Sequence, residues 1–158
     1  MSILSVQTDG SCMPNPGGMG IGIVIYEGTS IIKTISEYIG EGTNNIAEYS
    51  ALIRGLEEIK KLKKPGDRIM VFVDSLLILR QAKGDWQVRK EELKPLCERA
   101  RGLINEIGNI EIIWNTRGEN GIADSLAKEA IYIKRAKDYK AGKGLKFFPI
   151  DLLPREEE

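Results

Sequence analysis

The segment Arg68 to Asp74, RIMVFVD, constrains the fold more than any other stretch of the chain. It is a nearly continuous apolar run of strand length, so both of its faces expect cover. A stretch of helical period separates it from the strands that precede it. A strand regained after a helix marks a crossover unit, which sets it parallel to a neighbour in a covered sheet. The chain is therefore read as α/β.

Ahead of that segment, Ile3 to Val6 reads as a strand that ends in Thr8 and Asp9, followed by a loop of Gly10, Pro14-Asn15 and Pro16-Gly17-Gly18. Glycine there lets another backbone or a ligand come close. Ile21 to Tyr26, a Glu27-Gly28 turn and Ser30 to Ile39 complete a three-stranded antiparallel meander. From about Asn45 the period changes. Ile46, Tyr49, Ile53, Leu56 and Ile59 recur at helical spacing to about Leu62, with Thr43 or Asn44 as N-cap. Beyond Asp74, Ser75 caps a short helix to Ala82 that Gly84 closes. A longer helix over about 90–107 carries Leu93, Leu96, Cys97, Ala100, Leu103, Ile104 and Ile107 in one stripe. Ile110 to Asn115 is a last strand. A helix from Asn120 or Gly121 to Lys137 is predicted to turn Ile122, Leu126, Ala130 and Ile133 inward.

The 158 residues suit one domain, expected over 1–138, with a tail over 139–158. The tail's cluster of Leu145, Phe147, Phe148, Ile150, Leu152 and Leu153 is expected to dock, since such a run is costly to leave in water; a partner segment is the alternative. No apolar run reaches membrane-spanning length and no signal-peptide pattern opens the chain, so the expected location is cytoplasmic. With 23 Lys and Arg against 23 Asp and Glu, a polyanionic partner needs a local basic patch. The chain has no histidine and two cysteines, which excludes Ser-His and Cys-His nucleophiles, His-ligated zinc and imidazole proton transfer. Cys97 belongs to a core stripe. Cys12 is either a reactive thiol or a small loop filler.

Four acids stand apart. Asp9 and Asp74 close strands, Glu48 lies one turn into a helix on the face of Leu52, Gly55 and Ile59, and Asp124 opens the last helix. Each has an ordinary explanation as a turn former, N-cap or dipole partner. Together they fit the crevice at the carboxyl ends of adjacent parallel strands. Acids gathered there without histidine or lysine between them raise one another's pKa values, and hard divalent cations such as Mg²⁺ or Mn²⁺ relieve the repulsion. Two such ions about 4 Å apart activate water and stabilise the leaving oxygen of a phosphodiester.

In this order the segments TDGSCMPNPGG, TNNIAEYSAL, VFVDS and NGIADSLAKEA resemble the type 1 ribonuclease H family in its compact form, over about residues 3–137. The resemblance implies a five-stranded mixed sheet of order 3-2-1-4-5 flanked by helices, and Mg²⁺-dependent cleavage of the RNA strand of RNA–DNA hybrids by a monomer. Asp9, Glu48, Asp74 and Asp124 match its metal-binding carboxylates. Asn15 and Asn45 match contacts near 2′-hydroxyls and bases, and Thr43 matches a DNA-phosphate contact. Three departures stand out. Arg117 occupies the loop where the family often has histidine, and Leu76 stands where it often has glutamine. There is also no room for the basic extra helix of larger members, which leaves Lys83, Trp86, Arg89, Lys90 and Lys94 as either a reduced grip or a solvated helix end. The rival readings are a relaxed nuclease that also cuts double-stranded RNA, and a non-catalytic hybrid-binding module.

Overall fold

The structure, a computed structural model, describes residues 1–142. Its five-stranded sheet has the order β3-β2-β1-β4-β5. The strands are β1 (Ile3–Met13), β2 (Gly17–Glu27), β3 (Ser30–Gly42), β4 (Arg68–Val73) and β5 (Ile110–Trp114). The helices are α1 (Asn44–Leu62), α2 (Leu76–Lys83), α3 (Lys94–Ile107) and α4 (Gly121–Lys140), with a 3₁₀ turn over Glu91–Leu93. β1, β2 and β3 form the antiparallel meander, while β4 runs parallel to β1 and β5 parallel to β4. The crossover inference from RIMVFVD is thus met: Ile69, Val71 and Val73 are buried under α1 and α3 in one core with Leu52, Leu56, Ile59 and Leu103.

The first strand is longer than expected. Asp9 does not end it; β1 continues to Met13 and pairs with β2 out to Met13↔Gly18, leaving only Pro14-Asn15-Pro16 as the turn. Gly10, Gly17 and Gly18, read as loop, are strand residues, and helices come so close to the sheet that glycine is needed at Gly10 and also at Gly22 within the expected second strand. A Cβ on Gly10 would collide with the backbone of Ala47 and Glu48 in α1, and one on Gly22 would collide with Ala123 and Ala127 in α4. The same packing corrects the inward face of the last helix. α4 buries Ala123, Ala127, Ala130 and Ile131, and leaves Ile122 and Ile133 nearly half exposed. Alanines, together with Ile131, face the glycine-rich strand, so Ile122 and Ile133 point outward.

Thr43 is the N-cap of α1, its Oγ1 accepting from Ile46 N at 3.3 Å, and Ser75 caps α2 in the same way. The long helix expected from about Lys90 begins instead as the 3₁₀ turn, with Pro95 in the first turn of α3. α4 runs two residues past the boundary expected at 138. The apolar cluster of the tail and its docking lie outside the described residues. No helix among the described residues is long and apolar enough to cross a membrane.

Candidate active site

Pairing between β1 and β4 stops at Gln7 and Phe72, and just beyond that point the two chains deliver Asp9 and Asp74. Gly10 lets the first turns of α1 lie against β1, which brings Glu48 to the same place. Carboxylate oxygens of Asp9, Glu48 and Asp74 lie within 4.8 Å of one another. Asp9 is buried, at 3% exposure, and the other two are half-buried.

These groups resist ionising together. Burial, and then the charges of Glu48 and Asp74, push the Asp9 carboxyl far above the usual range. Burial and Asp74 push Glu48 up, against hydrogen bonds from Asp9 and from the Gly10 backbone N–H that favour its charged form. Asp74 is raised by burial first, with the nearby Arg117 guanidinium pulling it down and Asp124 pushing it up. An oxygen-only donor set, already desolvated and short of positive charge, fits a hard divalent cation.

Asp124 is not one of the close three. Its carboxylate touches Asp9 but is held by Lys128 Nζ at 3.0 Å, one turn along α4. The expectation of acids with no lysine among them therefore fails at this edge. The i,i+4 spacing of Asp124 and Lys128 carried the signal.

The expected substrate contacts lie on the β1–β2 turn, at the start of α1, after α2 and on the loop before α4. Asn15 Oδ1 accepts from Asn44 N at 3.2 Å and Asn44 Oδ1 accepts from Cys12 N at 3.2 Å, latching the β1–β2 turn to the start of α1. Arg117 is exposed on the loop before α4 and acts on both Glu48 and Asp74. Asn45 and Trp86 line one cavity with Arg89 and Lys90. Of the reduced basic grip, Lys94 is instead paired with Glu91 at 2.6 Å, and Lys83 borders other cavities, beside α3 and β5. Leu76 is 45% exposed. Cys12 is no loop filler: it lies in β1, where burial raises its thiol and Sγ sits 3.2–3.4 Å from the carbonyls of Pro14, Gly17 and Gly42. Sequence reading missed Gln81, a buried amide in the apolar helix α2.

A family model described as "Reverse transcriptase-like" matches residues 7–130. A bifunctional protein of Mycobacterium tuberculosis is 34% identical over 128 residues, which cover 80% of this chain and 35% of that protein. The chain thus spans about a third of the mycobacterial relatives' length. A ribonuclease H of Thermoanaerobacter pseudethanolicus is 34% identical over 147 residues, covering 83% of this chain and 91% of its own. Among solved structures, the LC11 RNase H1 in complex with RNA/DNA hybrid is 37% identical with a TM-score of 0.77, over 81% of this chain and 96% of that one.

Proposed function

The chain belongs to the ribonuclease H family, and from that premise we propose that it is a divalent-metal-dependent endonuclease that hydrolyses the RNA strand of RNA–DNA hybrids. The observation that carries the reading is the trio of Asp9, Glu48 and Asp74, whose oxygens approach within 4.8 Å where β1 and β4 part. A chain that only bound nucleic acid would gain nothing from clustered negative charge beside phosphates.

Asp9, Glu48 and Asp74 would hold the cation, with Asp124 at the rim. Mg²⁺ is the expected ion and Mn²⁺ a substitute. When bound, such ions supply Lewis acidity that polarises the attacking water and stabilises the departing oxygen. The protein's own groups set the substrate in place. Thr43 Oγ1 is occupied as an acceptor by the helix cap, so its hydroxyl proton is left to donate to a phosphate oxygen. Asn15 spends its carbonyl oxygen on Asn44 and presents its amide N–H groups to a 2′-hydroxyl, the group that marks RNA. Asn45 and Trp86 would contact sugars and bases along the adjoining cavity. Arg117 has no basic role near neutral pH; it offers a fixed positive charge to the phosphate and keeps Glu48 and Asp74 easier to ionise.

Purified protein given a hybrid with labelled RNA should release short RNA fragments in Mg²⁺ and none in EDTA, and Asp74→Asn should lose at least a hundredfold in rate. Full activity in that variant would refute the mechanism. Hybrid binding without turnover at saturating Mn²⁺ would instead identify a binding module. A second reading, cleavage of double-stranded RNA as well, is favoured by the exposed Leu76, which offers no hydrogen bond to the substrate. Rates on the two duplexes, measured side by side, separate these readings.

A further inference from the structure

Gln81 sits where α1, α2 and α3 meet, with 4% of its surface exposed. The fully buried Tyr49 hydroxyl donates to its Oε1 at 2.7 Å. Its backbone carbonyl accepts from Arg101 Nη2 at 2.7 Å and Nε at 3.1 Å, with Cys97 Sγ 3.5 Å away. Three helices therefore fix this residue, and the oxygen side of its amide is satisfied. The nitrogen side is not: among the described residues, Nε2 has no hydrogen-bond partner.

Gln81 borders a cavity of about 510 Å³ lined also by Asn45, Trp86, Arg89 and Lys90. The acid on its wall, Asp85, is neutralised by Arg80 at 3.1 Å. Asn45, on the cavity wall, stands three residues before Glu48 on α1, about one helical turn from an acid of the cluster. An unpaired donor on a residue that lines a cavity with Arg89 and Lys90 suits an anionic oxygen.

We infer that Gln81 is a substrate-binding residue whose amide N–H groups donate to a phosphate oxygen of the nucleic-acid strand crossing the Trp86 cavity, with Tyr49 as the positioning residue that turns those donors outward. The inference rests on the nuclease reading above and names a contact for that same site. Tyr49 and Glu48 are neighbours on α1, so one helical turn both carries an acid of the cluster and braces the reader of the backbone.

The test is hybrid binding in EDTA by fluorescence anisotropy, together with steady-state cleavage in Mg²⁺. Gln81→Met, similar in size but without the donor, should raise Kd and KM about tenfold and leave kcat within twofold. Tyr49→Phe should raise both about threefold, and adding it to Gln81→Met should change nothing more. A hybrid carrying one uncharged methylphosphonate linkage, scanned along each strand, should reveal a linkage that weakens binding to the wild type but not to Gln81→Met. If Gln81→Met does not fold, Gln81→Glu, which keeps the acceptor for Tyr49, carries the test and should weaken binding further. Unchanged Kd, or losses that add at every linkage, would make Gln81 a structural brace and overturn the inference. Absence of cleavage by the wild type would instead count against the nuclease reading, and the Kd arm would still decide the role of Gln81.

Discussion

Replacing Asp9 by asparagine should stabilise the metal-free protein. Asp9 is 3% exposed, with oxygens of Glu48 and Asp74 within 4.8 Å. At that separation and an effective dielectric constant of about 20, each fully charged pair repels by roughly 3.5 kcal/mol. Protonation limits the damage. Because the folded-state pKa of Asp9 lies above its unfolded value, the folded protein loses stability as pH rises past about 4, by at most about 1.4 kcal/mol per pH unit. At pH 8 that ceiling is roughly 5.6 kcal/mol. Asparagine keeps the shape without the charge, and allowing for an imperfect replacement hydrogen bond we expect a gain of about 3 kcal/mol, or roughly 6–12 °C in Tm. The assay is thermal melting in EDTA from pH 4 to 9. The gain should vanish near pH 4 and grow with pH, and saturating Mg²⁺ should raise the Tm of the wild type far more than that of the variant. An Asp9→Asn protein less stable than wild type at pH 8 in EDTA would refute the reasoning, because Asp9 would then be a hydrogen-bonded structural acid.

Other perturbations follow from the same geometry. Gly22→Ala drives a Cβ into the backbone of Ala123 and Ala127, so it should cost about 1–3 kcal/mol in denaturant melts and lower kcat by displacing Asp124, whereas Gly102→Ala, with open space around it, should be neutral or stabilising. Glu58, 5% exposed with Lys33 at 2.7 Å, has its pKa lowered mainly by that hydrogen bond, so its contribution is present above its unfolded pKa and is lost as pH falls through the folded value. Glu58→Gln should therefore cost about 1–2 kcal/mol at pH 7, discounted for the exposed lysine, with the difference shrinking below pH 4. Arg117→Ala removes a charge that eases ionisation of Glu48 and Asp74, so the acidic limb of the pH–rate profile should move to higher pH and KM should rise several-fold.

The helices and the central strands were legible because their periods are unambiguous: RIMVFVD declares a parallel strand, although only its Ile69, Val71 and Val73 face is buried while Met70 and Phe72 are half-buried, and the caps Thr43 and Ser75 stand where the backbone needs them. What misled is instructive. Gly10, Gly17 and Gly18 read as loop because local preference cannot reveal that α1 leaves no room for a side chain at Gly10, or that Pro14 and the Tyr38 ring crowd Gly17 and Gly18. The same blindness chose Ile122 and Ile133 over Ala123 and Ala127 as the inner face of α4, since hydrophobicity rewards bulk where this interface rewards smallness. The gathering of Asp9, Glu48 and Asp74 could be anticipated from strand positions and a helix face, although Asp9 lies within β1 and not at its end. The capture of Asp124 by Lys128 was legible in their i,i+4 spacing, whereas the donor left open on Gln81 depends on cross-helix contacts that no periodicity encodes.

The central claim is that these carboxylates exist to hold divalent cations against a nucleic-acid backbone. Anomalous scattering from crystals of the protein with hybrid and Mn²⁺ tests it most directly. Density for the ion should lie about 2.0–2.3 Å from oxygens of Asp9, Glu48 and Asp74. Ions found only elsewhere, in protein that still cleaves the hybrid, would contradict it.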